Sequence, residues 1–457
     1  MKLKVREEQR ENYPESQNGW KDNQGRYAYQ TMARYLIEQH GLKTLDGYSW
    51  IFNGKYYQPI SNEYLQLQVM HLTEDFDYQC ELNPNTIKTF ADIGIKRSQV
   101  LHHMVKRPDN KINLNNGVLN LKTMLLSSHI KSNFFKSVIP IDYDPEAECP
   151  NFMQFLSDVF NGNEELYEVT SQVFGYCLLG GKPFLHKAFV LHGEGRNGKS
   201  VWLECLRMIL GEDNVSNVNL SLLGKPFSAV QLEGKLANIF EEIPTSKVES
   251  DIFKTAVGGE HLTAAHKGKN EYALKVEARL VFAGNKYPRF NDSTTGLWSK
   301  LYFIPFEKYL FEDQRDPMIA EKLRSEAPGI LNFALRGLKK VLETRTIYKP
   351  DIVNAKIEDF RQDMDSVFTF FTRYVGDGSN TYTSAEFYSY YVSHCTEDGV
   401  KAVGKREFGR RIKQILKEKA RELKTLKYVR QGHGMALKNA HLEGYTSQAL
   451  KPNSFSF

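Results

Sequence analysis

Nine residues, His192-Gly193-Glu194-Gly195-Arg196-Asn197-Gly198-Lys199-Ser200, carry glycines, a lysine and a hydroxyl at spacings suited to a polyphosphate. They fit G-x-x-x-x-G-K-[ST]. Gly193, Gly195 and Gly198 allow successive backbone N–H groups to turn toward one anion, and Lys199 is long enough to reach β- and γ-phosphates. The Ser200 hydroxyl suits Mg²⁺. The expected cradle is Gly193, Glu194, Gly195, Arg196, Asn197, Gly198, Lys199, Ser200 and Val201, and the expected ligands are ATP and Mg²⁺. The flanks agree. Lys187 to Leu191 reads as a buried strand, and Val201 to Leu210 has helical periodicity that stops at Gly211. A helix starting at the loop adds its partial positive charge to the site.

A phosphate loop needs an acid and a γ-phosphate sensor to do chemistry. Leu236-Ala237-Asn238-Ile239-Phe240 is an apolar strand closed by Glu241 and Glu242. An acid at such a strand's end meets the Mg²⁺ shell, and its neighbour polarises the attacking water. Glu241 is assigned to the metal and Glu242 to the water, an assignment that can be exchanged. Ala278 to Asn285 is a further buried strand ending in an amide, and Asn285 is placed to hydrogen-bond the γ-phosphate or the water. Between them, Ala264 to Tyr272 reads as a basic hairpin with Lys267-Gly268-Lys269 at its tip beside His266.

Those residues need a sizeable scaffold. The chain has 457 residues, a length that predicts about three domains. A net charge of +5 is mildly basic, so any nucleic-acid surface must be local. The five cysteines have no C-x-x-C spacing, which argues against zinc or a disulfide framework and fits a reducing compartment. The charged start lacks an apolar signal core, and no run approaches a membrane span, so a cytosolic protein is expected.

The expected fold class is α/β: a phosphate-loop core with an α/β region before it and a small helical domain after it. Residues 1–110 are rich in aromatics and include a hairpin candidate, Tyr48 to Tyr57, around Asn53-Gly54. Asp75-Phe76-Asp77 with Ser127-Ser128-His129 offers a faint D-x-D and S-x-H pattern of priming enzymes. No β run precedes Asp75, so surface acids and a loop serine are the better reading. Residues 111–185 hold an Asn-Gly hairpin and two helices, and 186–343 hold the nucleotide core. A polar linker is expected over 344–365, and a final domain over 366–457.

These motifs together resemble the superfamily 3 helicases, in particular the phage, plasmid and poxvirus primase-helicase group and the Rep initiators of staphylococcal mobile islands. The marks are the compact loop, the acidic strand end, the basic hairpin and a strand ending in Asn before Pro, here Asn285-Lys286-Tyr287-Pro288. The Asn-Gly-Val-Leu-Asn-Leu element and the Tyr-Asp-Pro…Cys-Pro-Asn-Phe connector resemble the same group's pre-helicase region. The resemblance implies an AAA+-like core, a homo-hexameric ring and translocation on single-stranded DNA, with no membrane partner. It also implies a cation acting in trans on the neighbour's nucleotide. Where the family carries an Arg-Arg pair, this chain has Trp298-Ser299-Lys300, so Lys300 or the nearby Arg289 takes that place. In a ring, His266, Lys267 and Lys269 would follow DNA phosphates.

The tail offers a second DNA surface. Thr383 to Tyr391 reads as a capped helix, and Gly404 to Leu416 as a second one. The latter's stripe of Phe408, Ile412, Ile415 and Leu416 packs inward and leaves Lys405, Arg406, Arg410, Arg411 and Lys413 outward. Tyr428 to Met435 follows as a wing. The set resembles a winged helix-turn-helix that reads duplex origin DNA. The expected function is an ATP-dependent DNA helicase and replication initiator. The alternatives are a primase-helicase and a DNA-binding ATPase switch that unwinds nothing.

Overall fold

The computed structural model describes residues 12, 20–45, 47–74, 83–100, 110–243, 247–290, 295–312, 316–419, 426–431 and 434–442. Asp75 to Asp77 lie outside the described residues. The chain divides into two compact units, one of residues 1–243, 251–285 and 306–348, the other of 244–250, 286–305 and 349–457.

The first unit opens with α1 (Tyr29–Glu38), then an antiparallel sheet of β1 (Lys43–Leu45), β2 (Tyr48–Phe52) and β3 (Tyr57–Ile60). Helices α2 (Asn62–Glu74) and α3 (Pro84–Arg97) follow. Met32, Tyr35 and Leu36 fall on one face of α1 and join Trp20, Ile51 and Phe90 in a core. Next come β4 (Lys111–Leu114), β5 (Gly117–Asn120) and β6 (Leu126–Ser127). Leu114 pairs with Gly117, so Asn115-Asn116 makes the turn, one residue earlier than the expected Asn-Gly pair. Helix α4 (Pro150–Phe160) precedes α5 (Glu164–Leu178), which Asn163 caps by accepting from the N–H groups of Glu165 and Leu166.

The chain then runs through β7 (Ala188–His192), α6 (Lys199–Leu210), β8 (Val215–Ser216), α7 (Pro226–Ala229) and β9 (Ala237–Phe240). It continues through α8 (Ser250–Val257), the hairpin β10 (His261–Ala264) and β11 (Tyr272–Lys275), and β12 (Arg279–Gly284). Strands β7, β12, β9 and β8 lie side by side in that order, all parallel. Every residue of β12 is buried, as its continuous apolar run requires in a sheet covered on both faces.

After a first passage at 244–250, the second unit takes residues 286–305 with α9 (Thr295–Trp298) and β13 (Leu301–Pro305), and the chain returns to the first for α10 (Ile319–Ser325) and α11 (Ala327–Thr344). Helices α5 and α11 meet backbone to backbone. A Cβ on Gly337 would fall 2.1 Å from the Ser171 carbonyl carbon, and one on Gly175 would fall 2.3 Å from the Ala334 oxygen.

The expected linker over 344–365 is corrected by α12 (Asp351–Met364). Val353 and Phe360 are its fully buried positions, and Phe360 packs its ring against Tyr287, Trp298 and Phe303. So few core positions in a polar stretch read as linker. The tail is α13 (Ser366–Tyr374), β14 (Val375–Thr383), α14 (Ser384–Glu397), α15 (Lys405–Glu418), β15 (Lys427–Gln431) and β16 (Gly434–Leu442). Its sheet order is β14-β16-β15, over a core that includes Phe370, Phe387, Tyr391, Phe408, Ile412 and Leu437. Among the described residues no helix is long and apolar enough to cross a membrane.

Candidate nucleotide site and nucleic-acid surfaces

The loop between β7 and α6 is set by its glycines and by one amide. Gly198 sits at φ +86° at the start of α6, where a Cβ would also fall 2.4 Å from Val159 of α4. Gly193 faces the Phe306 carbonyl so closely that a Cβ would lie 2.0 Å from its oxygen, whereas Gly195 has open space. The buried Asn197 donates from its amide to that Phe306 oxygen at 2.7 Å and fixes the loop from inside. Lys199 is buried, and its ammonium donates to the carbonyls of Gly193 and Glu194, each at 2.7 Å, and to Asn197 Oδ1 at 2.9 Å. Burial pushes its pKa down to about 8. Ser200 is exposed at the first turn of α6.

Strand register brings the other groups to the same edge. Gly284 pairs with His192, and Phe282 with Phe240, so Asn285, Glu241 and Glu242 leave the sheet beside Gly193. Neighbouring strands are about 4.8 Å apart, which puts these side chains within reach of one ligand. Gly193 N–H donates to the Gly284 carbonyl at 3.4 Å. Asn285 is exposed. The two acids differ. Glu241 accepts from Arg207 of α6 at 2.5 Å, and Arg207 also donates to the Ile239 carbonyl at 3.2 Å. Glu242 is exposed and has no ion pair or hydrogen bond among the described residues. No cluster of three or more His, Cys, Asp or Glu among the described residues could hold a metal alone. Mg²⁺ bound through phosphate needs only one or two protein ligands, and Ser200 with Glu241 or Glu242 supplies that chemistry.

A cavity of about 780 Å³ opens beside the loop. Arg196, Gly198 and Val201 line its loop end, Phe155 and Asp158 come from α4, and Leu310 from the segment after β13. That volume accommodates a nucleoside. Arg196 takes φ +64°, its carbonyl accepts from Leu310 N–H at 2.9 Å, and its guanidinium donates to the Tyr309 hydroxyl at 3.2 Å. The sequence reading missed Phe155, Asp158 and Leu310, since no spacing rule links stretches about 150 residues apart.

In the second unit, Lys300 follows α9 half-buried, and burial lowers its pKa. Arg289 has an exposed side chain, while its carbonyl accepts from Val248 N–H at 2.7 Å.

The hairpin is present, and its tip is partly engaged. His266 stacks on Tyr272 with rings 6.1 Å apart and 11° from parallel, and its Nε2 lies 3.7 Å from Glu233. The Tyr272 hydroxyl donates to Glu233 at 2.7 Å. Lys269 places its ammonium 5.7 Å from the ring centre of Tyr48, while Lys267 is exposed.

On α15, Lys405, Arg406, Arg410 and Lys413 are exposed. Arg406, Arg410, Lys413 and the exposed Lys417, unremarked in the sequence reading, follow helical spacing along one face. Arg411, expected to point outward, instead donates to the buried Asp365 at 3.0 Å and to Glu407 at 2.8 Å. Arg410 also donates to Glu407, and the paired arginines hold that carboxyl down at about 2.

Three family models match segments of the chain. Residues 80–161 match D5 N terminal like, 191–296 match a family of unknown function (DUF5906), and 362–446 match Poxvirus D5 protein-like. A protein named "Putative helicase L207/L206" of Acanthamoeba polyphaga mimivirus is 23% identical over 337 residues, 66% of this chain and 34% of that protein. "Putative helicase 121R" of Invertebrate iridescent virus 3 is 21% identical over 46% of this chain and 24% of its own length. "Putative primase C962R" of African swine fever virus is 25% identical over 42% of this chain and 22% of its own length. The chain therefore spans about a third or less of these relatives. The solved A-form apo structure of the NrS-1 C-terminal region is 13% identical and covers 90% of this chain and 98% of its own, with a TM-score of 0.49. By its matched segments, this chain is similar to D5-like proteins and to viral proteins named helicase and primase.

Proposed function

We propose that the chain is the ATP-hydrolysing, DNA-translocating segment of a replication helicase, working as a homo-hexameric ring with an AAA+-like core. The observation that carries this is the convergence of the Gly193–Ser200 loop, Asn285 and the Glu241-Glu242 pair at one edge of β7, β12 and β9. Loop N–H groups and Lys199 hold the β- and γ-phosphates. Lys199 must leave the Gly193 and Glu194 carbonyls to do so, which a more strongly accepting phosphate drives. Ser200 and Glu241 hold Mg²⁺, which neutralises charge on the phosphates. Glu242, with no partner among the described residues, takes the water's proton, and Asn285 aligns that water. The adjoining cavity takes the nucleoside. Lys300 or Arg289 supplies the trans cation to a neighbour's site.

Lys267 and Lys269, with His266 beside them, track single-stranded DNA. The basic face of α15 meets duplex origin DNA. The protein works in the cytoplasm, as part of the replication machinery of a mobile element or virus. The name of the African swine fever virus relative favours a second reading, in which this segment is joined to a priming activity. Strand displacement from a forked duplex tests the first reading, and nucleotide incorporation on a bare template tests the second. ATP hydrolysis without either leaves a DNA-binding switch.

A further inference from the structure

The hairpin borders a groove of about 530 Å³ whose walls mix aromatic, basic and acidic side chains. Tyr48, Trp50 and Tyr56 come from the β2–β3 region, Lys136 from the connector after β6, Lys235 from the turn before β9, and His266 from the hairpin. Tyr48 and Tyr56 are half-buried, so part of each ring is open to the groove. Trp50 is 9% exposed, and its Nε1–H is buried with no acceptor among the described residues. A buried donor without a partner calls for an explanation. Lys136 holds its ammonium 4.5 Å from the Trp50 ring centre. At the hairpin end, Tyr48 meets His266 with ring centres 6.2 Å apart and Lys269 at 5.7 Å. Glu212, Asp213 and Glu233 also line the groove, and Glu233 is engaged by Tyr272 and His266.

Aromatic rings interleaved with cations suit a single nucleic-acid strand, whose bases stack on the rings while its backbone passes the cations. Three carboxylates face two lysines here, so the groove offers no net phosphate attraction and stacking supplies the affinity. We infer that this groove is a second single-strand site, continuous with the hairpin through Tyr48 and His266, that binds bases by stacking. The inference rests on the proposed single-strand binding by the hairpin and extends it onto the N-terminal sheet.

The test is oligo(dT) and oligo(rU) affinity of the full chain across a salt series. Tyr56 is the cleaner probe, because it makes no ring contact with the hairpin. Tyr56→Ala and Tyr48→Ala should each weaken binding of a long strand about fivefold or more, the cost of losing one stacked base. The slope of log affinity against log salt should not change, because no phosphate contact is lost. Tyr56→Phe should restore wild-type affinity, which separates stacking from damage to the fold. Equal losses with dT and rU point to stacking alone, while a loss confined to one of the two identifies the strand the groove takes. Lys267→Ala with Lys269→Ala should instead flatten the slope. If wild-type protein binds strands with a steep slope and Tyr56→Ala binds them equally well, the groove inference is wrong and the helicase reading stands. If wild-type protein binds no strand at all, both fall.

Discussion

Arg207 of α6 holds the Glu241 carboxylate at 2.5 Å, while the adjacent Glu242 is left to solvent. Two neighbouring acids at one strand end are thereby made unequal by a residue that no nucleotide-site motif includes. Glu242→Gln should keep nucleotide affinity and lose turnover by about 10²-fold or more, the scale of a missing general base. Glu241→Gln should raise the Mg²⁺ concentration needed for half-maximal rate. Arg207→Ala should lower it, because Glu241 no longer has to exchange partners. Binding of a fluorescent nucleotide alongside a Mg²⁺ titration of hydrolysis separates the three. Full turnover in Glu242→Gln would exchange the two roles.

Lys199 provides a pH signature. Its ordinary value is 10.5, and burial brings it to about 8. Below pH 8 both folded and unfolded chains hold the proton, and the folded state bears the cost of a buried charge. Between about 8 and 10.5 the unfolded chain holds more protons, so stability rises with pH across that window. A bound polyphosphate favours the ammonium, so nucleotide binding near pH 8 to 9 should take up a proton. Calorimetry in two buffers of different ionisation enthalpy should show that uptake in wild type and none in Lys199→Met. Zero uptake in wild type would place the phosphates away from Lys199.

The loop glycines are not equivalent. Gly193→Ala would drive a methyl onto the Phe306 carbonyl and should abolish nucleotide binding and lower the Tm. Gly195→Ala meets nothing and should fold with an unchanged Tm. Any loss of affinity in Gly195→Ala then reports close approach of a ligand to the loop backbone. Equal Tm losses in both variants would contradict the described loop geometry.

On α15 the arginines divide between fold and surface. Arg411→Ala removes the ion-pair partner of the buried Asp365, leaving it only the α13 N-cap bonds from Val367 and Phe368, and should cost the tail about 2 kcal/mol, read by chemical unfolding. Arg406→Ala and Lys413→Ala should stay within about 0.5 kcal/mol of wild-type stability and weaken duplex DNA binding instead. Glu407 adds an acid limb. Its carboxyl lies at about 2 against an ordinary 4.5, so its stabilisation is complete above pH 4.5 and disappears as pH falls toward 2. Glu407→Gln should flatten that part of the stability profile. Duplex affinity lost in Arg411→Ala at unchanged stability would return Arg411 to the DNA surface.

The glycine loop, the apolar strands and the hairpin were legible as elements because such segments carry local signatures, and β7, α6, β9, β10, β11 and β12 lie where those signatures placed them. Charge alone misled at Arg411. Its place in the basic run of α15 gave no sign of Asp365, 46 positions earlier. β14 was not expected, since Gly376, Asp377, Gly378, Ser379 and Asn380 are poor strand formers, and pairing with β16 decides their conformation. The α12 helix was hidden for a related reason: its polar composition matches a linker, and only packing of Phe360 distinguishes them. The nucleoside-sized cavity and the Tyr48–Tyr56 groove join segments remote in sequence, which periodicity cannot reveal.

On the proposed function, one edge of the parallel sheet hydrolyses nucleotide in response to a DNA strand. Phosphate release from Mg²⁺-ATP, with and without single-stranded DNA, tests it on wild type, Lys199→Ala and the Lys267→Ala/Lys269→Ala double variant. Stimulated hydrolysis is expected in wild type, none in Lys199→Ala, and basal hydrolysis without stimulation in the hairpin variant. Hydrolysis retained in Lys199→Ala, or a hairpin variant stimulated as strongly as wild type, would contradict that function.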